Sequence, residues 1–172
     1  MNEIPVITEA SHADCAAVAV LAAKTFTDTF GHMYDPADLQ SHLDRYCSVD
    51  YYTQSLESGD TLLMMHLGDQ CVGYAKVGHV TLPVKHAARG AQEIYRVYVD
   101  KSFQGRGFGK QLMLHILSLP RIQTSAEVYL GVWEENFKAQ ALYRLYHFEV
   151  VGPYQFMVGN HADTDIIMVR KK

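Results

Sequence analysis

No stretch of the chain is apolar for long enough to span a bilayer, and Met1-Asn2-Glu3 lacks the basic and apolar regions of a secretory leader, so neither anchor nor export signal is expected. Cysteine is scarce. Cys15, Cys47 and Cys71 are odd in number and widely spaced, which suits reduced structural thiols in a cytoplasmic protein and excludes a disulfide framework. The nine histidines include no i, i+4 pair and none at zinc spacing from a cysteine, so no metal is expected. No lysine/arginine cluster or basic–aromatic interleaving occurs, and the formal charge of −4 argues against nucleic acid and weakly favours a cationic small partner. Repeats and low-complexity segments are also missing. With 172 residues, 48% of them hydrophobic, residues 1–172 are expected to form a single domain with a sizeable core.

Against that background one stretch stands out. Ile94 to Val99 is rich in β-branched and aromatic residues, Gly105, Gly107 and Gly109 alternate immediately after it, and Lys110 to Leu119 has helical periodicity. A strand, a glycine turn and a helix start bring unpaired backbone N–H groups together, and such a cradle takes an anion, most naturally a phosphate. Two common phosphate loops do not fit. The Walker pattern needs glycine where Gln104 stands and Ser/Thr after Gly-Lys, where Gln111 stands; the dinucleotide pattern needs glycine where Lys110 stands. What remains is Q-x-x-G-x-G from Gln104 to Gly109. Taken alone, it also fits a simple tight βα connection.

A second strand, Val128 to Trp133, leads to Asn136 and a helix ending near Tyr146. Residues seven apart on an α-helix differ by only about 20° in direction, so Asn136 and Tyr143 share a face, with Ala139 and Gln140 between them. Phe137, Ala141, Leu142 and Leu145 form another stripe and read as core. Asn136 fits a helix N-cap as well as a ligand contact, and Tyr143 fits a core tyrosine as well as a catalytic one.

Together the loop from Gln104 to Gly109 and the stretch Leu130 to Phe148, with Asn136, Ala139, Leu142, Tyr143 and Phe148, resemble the two cofactor motifs of the GNAT acetyltransferase superfamily. The resemblance implies acetyl-CoA as co-substrate. It implies contacts from Val97, Tyr98 and Val99 along the strand, from Gln104, Gly105, Arg106, Gly107, Phe108, Gly109 and Lys110 at the pyrophosphate, and from Asn136 and Tyr143 on the later helix. Val97's amide is the implied donor to the thioester oxygen. Two departures stand out: His147 where a glycine is usual, and Lys101-Ser102 in place of a proline-containing turn.

Reading along the chain gives a short strand at Pro5 to Ile7, a helix from Cys15 to Phe30 after Ser11, and a helix from Pro36 to Tyr46 opened by Asp35. A hairpin follows from Thr61 to Leu67 and Gln70 to Val80, then a loop from Leu82 to Gly90 and the cofactor strand from Gln92. Pro120 ends the helix after the glycine loop, and Phe148 to Val158 with Asp165 to Arg170 reads as a closing strand pair across a polar linker. The order β-α-α-β-β-β-α-β-α-β-β is an α/β class with a mixed, mostly antiparallel sheet flanked by helices. The resemblance adds a splayed central strand pair that admits the cofactor.

Acetyl transfer to an amine needs a base for the amine and a donor for the departing sulfur. Tyr143 suits the second task, and Glu93, or a water relay, the first. The acceptor wall is placed at Phe26, Phe30 and Tyr34, with Met33 beside them and Asp28 or Asp35 to hold a distant ammonium. The segments from Phe26 to Gly31 and Gly152 to Met168, with Asp163-Thr164-Asp165, resemble bacterial polyamine acetyltransferases, which implies a small primary amine as acceptor. A protein or peptide amine, a non-catalytic acyl-CoA-binding regulator and a plain α/β interaction domain are the other readings. The C-terminal strands offer edges for a homodimer.

Overall fold

A computed structural model describes residues 4–172; the expectation of no leader at Met1-Asn2-Glu3 lies outside the described residues. No helix among them is long and apolar enough to cross a membrane. The strands are β1 (Val6–Glu9), β2 (Thr61–Leu67), β3 (Gln70–His79), β4 (Gln92–Val99), β5 (Glu127–Trp133), β6 (Glu149–Val158) and β7 (His161–Lys171). The helices are α1 (Cys15–Phe30), α2 (Pro36–Tyr46), α3 (Val49–Glu57), α4 (Phe108–Ser118), a short α5 (Pro120–Gln123) and α6 (Phe137–Leu145). One seven-stranded sheet runs β1-β2-β3-β4-β5-β7-β6. Every neighbouring pair is antiparallel except β4 and β5, whose parallel crossover contains α4 and α5.

Alternation on the inner strands sends side chains to two cores. Leu63 and Met65 face α4, which contributes Leu112, Met113 and Ile116, whereas Leu62 and Met64 face α1 and α3, packing with Val18, Ala22 and Tyr52. Local signals place the helix starts. Asp35 accepts from the Ala37 amide at 2.9 Å, Ser48 from the Tyr51 amide at 3.2 Å and Asn136 from the Ala139 amide at 3.1 Å.

Four details differ from the sequence reading. Helix α3 was not expected, because Val49, Tyr51, Tyr52 and Thr53 are weak helix formers; the Ser48 cap and burial of Tyr52 and Ser55 hold it. Strand β1 begins and ends slightly later than Pro5 to Ile7. Pro120 follows α4 as expected but also opens α5 at its first turn, where a missing N–H costs nothing. The supposed linker before Asp165 is strand: Val158 pairs with His161 across a two-residue turn, with Gly159 at φ +55°.

The expected core stripe on α6 is also corrected. Phe137 is 71% and Leu145 62% exposed, and Ala141 is exposed; only Leu142 packs inward. The buried face is the one with Gln140 and Tyr143, because Gln140 Nε2 donates to the carbonyls of Trp133 at 3.3 Å and Glu134 at 2.7 Å where β5 ends. His147 closes the helix at φ +64°, the glycine-like geometry its position demands, at a cost of about 1 kcal/mol. The Phe148 amide then bonds back to the Tyr143 carbonyl at 3.2 Å, and the Phe148 ring enters the core 6.2 Å from that of Tyr143.

Candidate active site

Strands β4 and β5 are paired only from Gln92↔Val128 to Ile94↔Leu130. Beyond that they part. On the other side of β4 the register with β3 jumps between Lys76↔Arg96 and Val77↔Ile94, leaving Tyr95 as an extra residue. A bulge bends its strand, and this one sits where β4 turns away from β5. The Asp100 amide donates to the Val72 carbonyl of β3 at 2.8 Å. Main-chain groups alternate sides along a strand, so Val99 and Val97 face the gap. Gln104 Nε2 takes the Val99 carbonyl at 3.1 Å, and the Val97 amide is left as a donor pointing into the opening.

The glycine loop closes one end of this opening. Gly105 and Gly107 both adopt φ +81°, and Gly107 precedes the first residue of α4 without any side-chain cap. The first amides of α4 therefore converge, without a side-chain acceptor, at the positive end of the helix dipole. A Cβ built on Gly107 meets nothing within 4 Å, so the site is open on the side a ligand would approach. These donors fit a pyrophosphate.

A cavity of about 1100 Å³ connects this loop to the far side of the sheet. Of the residues named from sequence, Glu93, Val97, Tyr98, Val99, Gln104, Gly105, Gly107, Phe108, Gly109, Lys110, Asn136, Tyr143, Phe26, Phe30 and Tyr34 all line it. Arg106 does not; its guanidinium lies 5.2 Å from the centre of the Phe103 ring. Asp28 and Asp35 are not in the wall either, since Asp28 pairs with Lys24 at 2.7 Å and Asp35 caps α2.

Tyr143 is 9% exposed, and burial alone pushes its hydroxyl pKa up to about 12, so it stays a protonated donor at working pH. Glu93 Oε2 accepts from the amides of Thr81 at 2.6 Å and Leu82 at 3.0 Å and from the Thr81 hydroxyl at 3.1 Å. Burial raises its pKa, and those donors only partly restore the charged form. Anchored through one oxygen, the carboxyl lines the cavity as a weakly stabilised base.

Several wall residues escaped the sequence reading as site residues. Tyr154 donates to Asp165 at 3.1 Å, and a side chain at Gly131 would collide with that hydroxyl. Tyr34 donates to Asp163, whose other oxygen meets His161 Nε2 at 3.0 Å. Burial first, then the charges of Asp163 and Glu134, lift Asp165 to a pKa of about 6. The signal for Asp163 and Asp165 was the alternation along β7, hidden because the strand was read to begin at Asp165 and Asp163 was left in the linker. Arg96 and His42 also line the cavity, and Phe26 stacks on the His42 ring at 4.3 Å.

A sequence model of the Acetyltransferase (GNAT) family matches residues 22–148. The chain belongs to the GNAT acetyltransferase family. As a GNAT protein it is an N-acetyltransferase by descent, and its parted β4–β5 pair and glycine loop are the family's fold in this chain. It is 27% identical over 163 residues to an uncharacterized N-acetyltransferase from Lactobacillus delbrueckii subsp. lactis, covering 94% of each chain. It is 27% identical over 86 residues to the spermine/spermidine N(1)-acetyltransferase of Bacillus subtilis, covering 49% of this chain and 57% of that one. Its fold is similar to that of the PaiA N-acetyltransferase from Thermoplasma acidophilum in complex with coenzyme A, at 17% identity, with a TM-score of 0.77 over 98% of this chain and 99% of the other.

Proposed function

We propose that this GNAT protein transfers the acetyl group of acetyl-CoA to a primary amine of a small molecule while both are bound. The observation that carries the reading is one continuous cavity. It joins an N–H cradle without a side-chain cap, a strand edge with the Val97 amide turned to the gap, a protonated Tyr143 and a buried Glu93. Acetyl-CoA supplies the activated acetyl group as a thioester.

Each residue then has one task. The amides from Gly107 to Lys110 hold the pyrophosphate, with Lys110 adding charge, and Asn136 supports the start of α6 beside it. The Val97 amide holds the thioester oxygen where negative charge develops. A primary ammonium has a pKa near 10.4, so only about one molecule in a few thousand is neutral at pH 7. Glu93, directly or through a water, accepts the proton that the amine sheds as the N–C bond forms and the C–S bond breaks. Tyr143 donates its proton to the departing sulfur and recovers one from solvent.

The acceptor presents an ammonium on a small molecule, because Asp163, Asp165 and Glu93 line the wall with Phe26, Phe30 and Trp133; polyamines belong in the panel of amines, and a protein amine would need a more open groove. A homodimer across β6, the outer strand with Val150 and Val151 exposed, belongs to the same proposal and is read from mass in solution. The deciding experiment follows thiol release from acetyl-CoA with a panel of primary amines. Release that depends on the amine and falls steeply in Tyr143→Phe supports the reading. A folded protein that binds acetyl-CoA yet releases no thiol with any amine would instead be a non-catalytic regulator.

A further inference from the structure

The acceptor end of the cavity carries a cation as well as carboxylates. Arg96 follows the Tyr95 bulge on β4 and lines the cavity. Its Nη1 donates to the Tyr52 hydroxyl at 2.9 Å and approaches Cys47 Sγ at 3.6 Å, and its guanidinium carbon lies 5.3 Å from the centre of the Tyr51 ring. Burial pushes both the Tyr52 hydroxyl and the Cys47 thiol towards their neutral forms, so neither partner is an anion. Among the described residues no carboxylate lies within ion-pairing distance of Arg96. Lys76, the neighbouring cation on β3, is treated differently: it has Asp60 at 3.1 Å.

A largely buried charge without a counter-ion is costly, and structures retain one chiefly where something else supplies the opposite charge. The free edge of Arg96 says what that is. Nε and Nη2 make no hydrogen bond within the described chain, and neither is among the polar atoms sealed from solvent. Two parallel N–H groups on one guanidinium edge match the two oxygens of a carboxylate. A second unmet group lies beside it. His42 lines the same cavity, is 5% exposed, and its Nδ1 is buried with no hydrogen-bond partner.

We propose that Arg96 binds a carboxylate of the acceptor, so that the acceptor is a small amino carboxylate and not a simple amine or diamine. The inference rests on the acetyl-transfer reading of the cavity. Glu93 and Arg96 stand opposite Gly78 and Lys76, two residues apart on β3, so the bulge brings them to about 7 Å along the strand, a span that a short amino carboxylate covers. With its ammonium towards Glu93 and Asp165 and its carboxylate towards Arg96, such a molecule meets opposite charges at both ends. Reversed, it meets like charges at both. Arg96 therefore selects the acceptor and orients its amine towards the base.

The test compares kcat/KM for amino carboxylates and for α,ω-diamines of the same chain length in the wild type, Arg96→Gln and Arg96→Lys. The wild type is expected to favour amino carboxylates by roughly tenfold to a hundredfold, the range of a charge-assisted pair. In Arg96→Gln the preference should fall to near unity, mainly through KM for the amino carboxylate, with a partial return in Arg96→Lys. Calorimetric titration of the same compounds, with and without coenzyme A, gives a readout independent of turnover. If acetyl-CoA binds but no amine releases thiol, acetyl transfer fails on its own and the titration still decides the carboxylate. Equal use or equal binding of both classes by the wild type overturns the proposal, as does an unchanged preference in folded Arg96→Gln. Should Arg96→Gln not fold, the wild-type comparison stands alone as the decision.

Discussion

The two ends of the cavity are built from different materials. At the glycine loop the binding groups are main-chain amides contributed by residues 104–110, one continuous stretch of chain. At the acceptor end they are side chains from α1, α2, β4, β6 and β7, tied together by Tyr34 to Asp163, Tyr154 to Asp165 and the Phe26–His42 stack. Backbone donors tolerate many side chains provided the φ angles hold, so the first end suits a constant ligand. Side-chain walls change with each substitution, so the second end suits a ligand that differs from one relative to the next.

The largest effect should come from breaking the backbone end. Gly107→Glu places a Cβ at φ +81° and a carboxylate at an anion site, and calorimetry should show acetyl-CoA affinity reduced by more than about a hundredfold with the fold retained. Acetyl-CoA binding unchanged by that variant would remove the loop from the site. At the junction of the two ends, Tyr143→Phe should lower kcat by about tenfold to a hundredfold and leave acetyl-CoA affinity nearly unaltered, the pattern of a contact made mainly in the transition state. Equal kcat would assign Tyr143 to the core alone.

Glu93→Gln should lower kcat/KM about tenfold near neutral pH, with a deficit that shrinks as pH approaches the amine's own pKa and the base becomes dispensable. A constant deficit across pH would mean that Glu93 only anchors the Thr81–Leu82 turn. Asp165 separates stability from function. Its folded pKa of about 6 lies above the ordinary 3.8, so the folded state prefers it protonated, and stability falls as pH rises from about 4 to 6. Asp165→Asn should therefore stabilise the ligand-free protein at pH 7 by of order 1 kcal/mol after screening, seen as a raised Tm, while weakening acceptor binding. The smallest effect belongs outside both ends: Phe137→Ala, at a 71% exposed position, should change stability by less than about 0.5 kcal/mol in urea unfolding.

The cofactor end was legible because its signals are local. Glycines at Gly105 and Gly107, the Asn136 cap and the Asn136–Tyr143 spacing can all be read within a few turns of chain, and the strands and helices around them fell close to their expected limits. The α6 stripe misled for a physical reason. Which face of a short helix is buried depends on the sheet it crosses, and the β5 carbonyls drew Gln140 inward while Phe137 and Leu145 stayed out. Helix α3 was missed because tertiary burial of Tyr52 outweighs its poor helix propensity.

By itself, then, the sequence determined the order of the strands, the glycine loop, the family resemblance and the phenol at position 143, since short-range hydrogen bonding and periodicity encode them. Only the tertiary structure decided that Asp163, Asp165, Arg96 and His42 share one cavity, that Asp28 and Asp35 stand outside it, and that Arg96 has no carboxylate partner among the described residues. Those relations join residues far apart in the chain. They exist only once β6 and β7 have folded against α1 and α2 beside the parted β4, and no local pattern carries them.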